Sequence, residues 1–274
     1  MKLSLITCFA LIYVAGFTQQ IKATYTVKVN QKFDFSANPN MPKAVADRIK
    51  KRMSESQIFY LHLNRNESIY KKEEKLEASN QGAGRSSFRR FGTNNSNITH
   101  TNLATKTQTV QQEMFGKLFL VSRNLKKPDW TFTGASKQIG NYTAYQATYT
   151  QMQVPPSNQM SFGRGKDVDI QKEPEKIPVT VSVWFTPDIP IAAGPEKYFG
   201  LPGLILMVQD GNKMLLCTSV QMNVTEKIAL APPTKGKKVT GKEFYKIREK
   251  KIQEMRLRYK NNRSGDSNDR LRIR

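Results

Sequence analysis

Gly200-Leu201-Pro202-Gly203-Leu204-Ile205 runs into Leu206-Met207-Val208-Gln209-Asp210-Gly211-Asn212 and out again through Lys213-Met214-Leu215-Leu216-Cys217. Leu204, Leu206 and Val208 begin a strand, Asp210-Gly211-Asn212 makes a tight turn, and Met214 to Met222 returns. The region therefore reads as an antiparallel hairpin. At its entrance Pro202 fixes φ for the second position of a turn, and Gly203 is expected to take the positive φ of the third, the type II arrangement.

Working outward, the same two-residue period recurs. Val179, Val181, Val183 and Phe185 line one face of a strand that Pro187 stops, and Thr180, Ser182, Trp184 and Thr186 line the other. A tryptophan on that second face implies that it too is partly covered. Tyr145, Ala147 and Tyr149 alternate within Tyr142 to Thr150, and further strands are expected at Trp130 to Thr133 and Lys117 to Val121. Tyr25, Val27, Val29, Phe33 and Phe35 alternate near the start, and Ile58 to Leu63 with Ser68 to Lys71 read as a hairpin. Met41, Val45, Ile49 and Met53 recur every four residues, the spacing of a short amphipathic helix.

Two stretches have no sustained periodicity. Residues 72–112 are rich in Ser, Asn, Thr, Gly and charge, and residues 151–178 carry Pro155-Pro156, Gly163, Gly165, Pro174 and Pro178; both are expected to be mobile insertions. Residues 1–18, with Lys2 before an apolar core and Ala15, Gly16 and Thr18 at its end, read as a secretory signal peptide. Residues 19–232 then form a single β-rich domain, and residues 233–274 a basic helix with a disordered tail. Thr240 and Glu243 have capping-box spacing, with Val239 and Phe244 as the hydrophobic staple around them.

The chain of 274 residues has 44 Lys and Arg against 22 acidic residues, a formal net charge of +22, and a mean hydropathy of −0.57. Fifteen of the basic residues and only five acidic ones follow Pro233. Such a field attracts polyanions, including anionic lipid and acidic polysaccharide. Removing the signal peptide leaves Cys217 as the single cysteine, which excludes an intramolecular disulfide, and its β-like context reads as a buried thiol. His62 and His100 have no His, Cys or carboxylate at ligand spacing. Neither a nucleophile elbow nor a phosphate loop is present, so no catalytic set, metal or cofactor is expected.

The hexapeptide Gly200 to Ile205 resembles the GLPGLI family, exported proteins of Bacteroidetes that lack an established activity. Trp130-Thr131-Phe132, Ile139-Gly140-Asn141-Tyr142, Val183-Trp184-Phe185-Thr186 with Pro190, and Gly194-Pro195 follow in that family's order. Family members often have a cysteine where this chain has Ala144, so any role of that cysteine is absent here. The resemblance implies a mainly β fold with packed helices (α+β): a strongly curved antiparallel sheet, a half-barrel similar to periplasmic lipoprotein carriers.

From the resemblance and the composition together, the expected function is an extracytoplasmic, non-catalytic binding or carrier module for an apolar or lipid-like ligand, held in an apolar hollow lined by the inward strand residues and gated near Pro187 to Leu204. The alternatives are an envelope interaction protein and a hydrolase built from dispersed residues. The interaction protein would serve an outer-membrane or TonB-dependent receptor, or be held on anionic lipid or polysaccharide by the basic tail. The expected location is the periplasm, the outer membrane or the exterior, and a nucleic-acid partner is not expected. Gly200, Leu201, Pro202, Gly203, Leu204 and Ile205 are expected to act as a structural turn, with Trp184, Pro190, Gly194 and Pro195 flanking it.

Overall fold

The computed structural model describes residues 20–29, 43, 44, 47, 55–74, 97–153, 175–224 and 228–269. Within them lie twelve strands: β1 (Ile21–Val29), β2 (Gln57–Leu63), β3 (Glu67–Lys72), β4 (Ile98–Asn102), β5 (Thr107–Met114), β6 (Lys117–Asn124), β7 (Thr131–Ile139), β8 (Tyr142–Gln153), β9 (Ile177–Thr186), β10 (Leu204–Asp210), β11 (Lys213–Gln221) and β12 (Lys237–Thr240). One helix, α1 (Gly241–Asp269), ends the described chain. The signal peptide and the repeat from Met41 to Met53 lie outside the described residues, apart from Lys43, Ala44 and Asp47, which are helical.

All twelve strands form one sheet in the order β12-β6-β5-β4-β3-β2-β1-β11-β10-β9-β8-β7. Every pairing is antiparallel except β12 with β6. Although β6 and β7 are consecutive in the chain, ten strand spacings separate them, about 48 Å if the sheet were flat. The connection from Leu125 to Trp130 reaches at most about 25 Å. The sheet must therefore curl until its two ends approach, yet it remains open, with β12 and β7 at its edges.

The expectation of an α+β half-barrel with packed helices is overturned: this is a nearly all-β structure, and α1 packs only at one margin of the sheet. There Phe244 and Ile247 meet Phe119, Val121 and Val239 in a small separate core. The hollow of the main sheet is filled by the irregular connection 187–203. Its Ile189, Ala193, Tyr198 and Leu201 join Tyr25 of β1, Leu61 and Leu63 of β2, Tyr70 of β3, Val181 and Val183 of β9, and Leu204 to Leu206 of β10 in one buried cluster. Each of these leucine, isoleucine and valine side chains contributes about 1.5–3 kcal/mol relative to exposure. The short reach across a tightly curled sheet leaves a loop, rather than a layer of helices, to cover it.

Of the insertion expected over 72–112, residues 75–96 lie outside the described residues, whereas 98–112 form β4 and most of β5. These strands escape hydrophobic patterning because, Val110 apart, their buried side chains are polar: Thr99, His100, Thr101, Gln108 and Gln111. Of the insertion expected over 151–178, residues 154–174 lie outside the described residues; β8 runs on to Gln153 and β9 starts at Ile177. The helix begins at Gly241, with Thr240 Oγ1 accepting from the Glu243 amide at 3.3 Å and Glu243 Oε2 accepting from the Thr240 amide at 2.7 Å.

Candidate functional site

The connection 187–203 is shaped by main-chain bonds. The amides of Ile191, Ala193 and Gly203 each donate to the carbonyl two residues before, at 2.7–2.8 Å, giving three tight turns. The last is centred on Pro202, whose ring holds the φ that such a turn needs. Gly200, Leu204 and Ile205 then donate to Ala192, Ile189 and Ala193 at 3.0–3.1 Å, so the loop folds back on the start of β10. From the sheet, Tyr25 Oη donates to the Ile205 carbonyl at 2.6 Å. Burial, then Cys217 and Tyr70 nearby, raise the Tyr25 phenol well above its ordinary range, so it stays a donor.

The turn differs from the expected type II arrangement. Gly200, not Gly203, has the positive φ, +87°. Gly203 is required for space: a Cβ there would lie 2.0 Å from the Thr186 carbonyl oxygen and 3.0 Å from Pro187 Cα. Gly194 is confined in the same way, with a Cβ 2.7 Å from the Tyr198 carbonyl oxygen and 2.9 Å from Ile205. Leu201, Leu204 and Ile205 are buried, while Pro202 and Pro190 are exposed. Pro195 is buried and its carbonyl accepts from Tyr198 at 3.1 Å. Trp184 lies apart, half-buried on the opposite face of β9 from Val183 and Phe185, with Lys137 Nζ 4.1 Å from its ring centre.

Gly200, Leu201 and Pro202 form one wall of an open groove of about 450 Å³, whose other wall is Lys127 to Phe132. Trp130 ties the walls together: its indole Nε1 donates to the Phe199 carbonyl at 3.1 Å, and its ring meets Tyr149 edge-on at 4.8 Å. Phe132 is 58% exposed and Tyr145 42% exposed, and both contact the buried ring of Phe185, at 5.9 and 6.3 Å. Lys127 and Asp129 are the ionisable side chains of the lining. The groove thus offers aromatic surface beside a cation and a carboxylate. By contrast, the depression lined by Ser68, Thr101, Gln108, Gly194 and Tyr198 inside the sheet has no room for a water molecule.

Behind Tyr149 a polar cluster anchors the plug. Asp210 accepts from Tyr198 Oη at 2.6 Å, Gln153 at 2.5 Å and Gln151 at 3.1 Å, and pairs with Lys197 at 3.4 Å. Burial alone would raise the Asp210 carboxyl, but the Tyr198 and Gln153 hydrogen bonds and Lys197 outweigh it and hold it below its usual range. Tyr149 is pushed up to about 12 by burial and by Asp210. With both carboxylate oxygens occupied, this cluster positions the loop. Burial lifts the Cys217 thiol to about 12, leaving it protonated. His62 and His100 lie on the opposite face of the sheet from the core residues Leu61 and Tyr70 and are both lowered, chiefly by burial. Among the described residues no three His, Cys, Asp or Glu side chains could hold a metal ion.

Sequence reasoning found the motif wall of the groove but not Lys127 to Asp129, which it left as an unassigned connection, nor Tyr145 as an exposed ring. The one available signal was the aromatic pair Trp130 and Phe132, two residues apart and so on the same side of one strand.

Taken together, these features define an open, curled β-sheet domain whose hollow is closed by a loop and whose outer groove is framed by that loop's Gly-Leu-Pro turn. Residues 130–207, which include the turn and the Trp130–Phe132 part of the groove, match the family described as "Protein of unknown function (Porph_ging)". No curated protein matches the chain. Among solved structures it is similar to PNGF-II in two crystal forms. The C2 form is 13% identical with a TM-score of 0.48, and the P21 form 14% identical with 0.46. Each comparison covers 83% of this chain and 32% of the other, so the chain spans about a third of those proteins' length.

Proposed function

We propose that this is a GLPGLI-type binding module, non-catalytic, that takes an apolar or lipid-like ligand in the groove between Lys127–Phe132 and Gly200–Pro202. The observation that carries the proposal is the exposed Phe132 ring beside the Trp130 indole, facing a turn whose backbone is held rigid by its hydrogen bonds. Exposed rings set in a concave surface are costly to leave in water and are the ordinary lining of ligand sites. Lys127 at the rim suits the carboxylate of an acyl chain. The ligand lies in an open groove rather than an enclosed hollow, because the loop 187–203 fills the hollow. Placement in the cell envelope, and an outer-membrane partner, rest on the resemblance alone.

The chain has two tryptophans, so Trp184→Phe leaves Trp130 as its sole indole reporter. Titrating that variant with 12-bromododecanoate should quench its emission along a saturable curve, with a midpoint below about 1 mM. Adding Phe132→Ser should weaken the curve about tenfold, the loss of most of one buried aromatic contact. Absence of saturable quenching at that concentration would refute the proposal.

A further inference from the structure

We infer that α1 carries a docking face for an anionic lipid surface, centred on Lys242, Lys246 and Lys250. The inference is independent of the groove. Four-residue spacing places the three lysines on one side of the helix, and all three are exposed. Phe244 and Ile247, on another side, seat the helix against Phe119 and Val121, which turns the lysines away from the sheet. Lys237 of β12, exposed and near enough to act on Glu243, extends the basic area at the start of the helix.

The acidic residues near this face do not cancel it. Glu243 is engaged by the amide and hydroxyl of Thr240, at 2.7 and 3.0 Å. Glu254 is paired with Lys251, which points elsewhere, at 2.6 Å. Glu243, still ionised, and Glu249 remain, two carboxylates against the four lysines.

Charge alone would suit any polyanion, and Leu257 decides between them. It follows Lys246 by eleven residues and Lys250 by seven, so it shares their face, and it is 52% exposed. An exposed leucine among lysines whose methylene stems can lie along an apolar layer fits the boundary between headgroups and acyl chains. A hydrated polysaccharide gives that leucine nothing. The helix is otherwise polar, so adsorption is mainly electrostatic and sensitive to salt.

The test is sedimentation of the full chain with vesicles of phosphatidylcholine mixed with phosphatidylglycerol at low salt. The chain should bind these and not pure phosphatidylcholine. Lys242→Gln, Lys246→Gln and Lys250→Gln together should weaken binding on the order of 100-fold, about 5-fold per lysine. Lys28→Gln, Lys126→Gln and Lys176→Gln together make the same charge change at exposed positions elsewhere and should cost far less. Leu257→Ser should weaken vesicle binding several-fold without altering binding to dextran sulfate. Glutamine keeps the helix, which circular dichroism checks. Equal losses for the two triple variants, no binding of the parent to the mixed vesicles, or binding to dextran sulfate alone would each overturn the inference.

Discussion

Replacing Gly203 by alanine puts one methyl group where the backbone of Thr186 already lies. Its Cβ would be 2.0 Å from the Thr186 oxygen, 2.6 Å from the Thr186 carbonyl carbon and 3.0 Å from Pro187 Cα, so relief requires main chain to move by more than about 1 Å. The movement falls at the pairing of Leu204 with Thr186, where β10 joins β9, and at the 3.0 Å bond from the Leu204 amide to Ile189. Two backbone hydrogen bonds at about 1 kcal/mol each, with about 1–3 kcal/mol of overpacking strain, give a destabilisation of about 3–5 kcal/mol. Urea unfolding should show this as a lower midpoint at unchanged slope, and heating as a Tm about 6–20 °C lower. Gly200→Ala is the contrasting case: its Cβ meets only the flexible Lys127 side chain, and the cost is the positive φ, about 1–2 kcal/mol. If Gly203→Ala were within about 1 kcal/mol of the parent, or no worse than Gly200→Ala, the steric account of the motif would be wrong.

Two other outcomes are expected. Burial, with Lys71 and Lys22 adding to it, lowers His62 to about 4, and burial also lowers His100. Below about pH 6.5 the unfolded chain takes up protons that the folded chain refuses, so stability should fall from there toward pH 4, by up to about 1.4 kcal/mol per pH unit per histidine. His62→Gln should flatten that slope in urea midpoints measured against pH, and a parent profile flat from pH 7 to 5 would contradict it. Cys217, buried and raised to about 12, should resist iodoacetamide in the native protein at pH 8 and react fully in urea; rapid native labelling would show the site opens.

Much of the β architecture was legible locally. The turn at Asp210-Gly211-Asn212 joins β10 to β11, with Gly211 at φ +58°, and Thr240 with Glu243 caps α1 at the expected residue. β4 and β5 were not legible because Thr99, Thr101 and Gln108 occupy buried positions that patterning reserves for apolar residues. Part of what holds the Gln108 amide nitrogen is distant: its Nε2 donates to Thr101 at 2.9 Å and to the carbonyl of Glu196, 88 residues on, at 2.8 Å. β12 was hidden for another reason, since it has four residues, two of them lysine, and pairs in parallel with β6. The groove could be read only by half. Its motif wall is a local string, but the wall from Lys127 to Phe132 is placed by the Trp130 bond to Phe199, 69 residues away.

The position of β1 has a kinetic consequence. β2 to β6 form one run of sequential antiparallel neighbours and β7 to β11 another, while β1 lies between β2 and β11 and joins the two. One side of that seam is made late in the chain: Thr218 Oγ1 donates to the Thr24 carbonyl across 194 residues. Closing so long a segment carries an entropic cost of about 4–5 kcal/mol before any seam contact compensates it. Each run can assemble from near neighbours in sequence, whereas the β1–β11 seam has to wait until β11 has been made and both runs are in register. Refolding is therefore expected to be limited by this seam, so that Val27→Ala, opposite Leu215, slows the final phase, whereas Val110→Ala in β5, inside a run already paired when the seam closes, leaves the unfolding rate nearly unchanged.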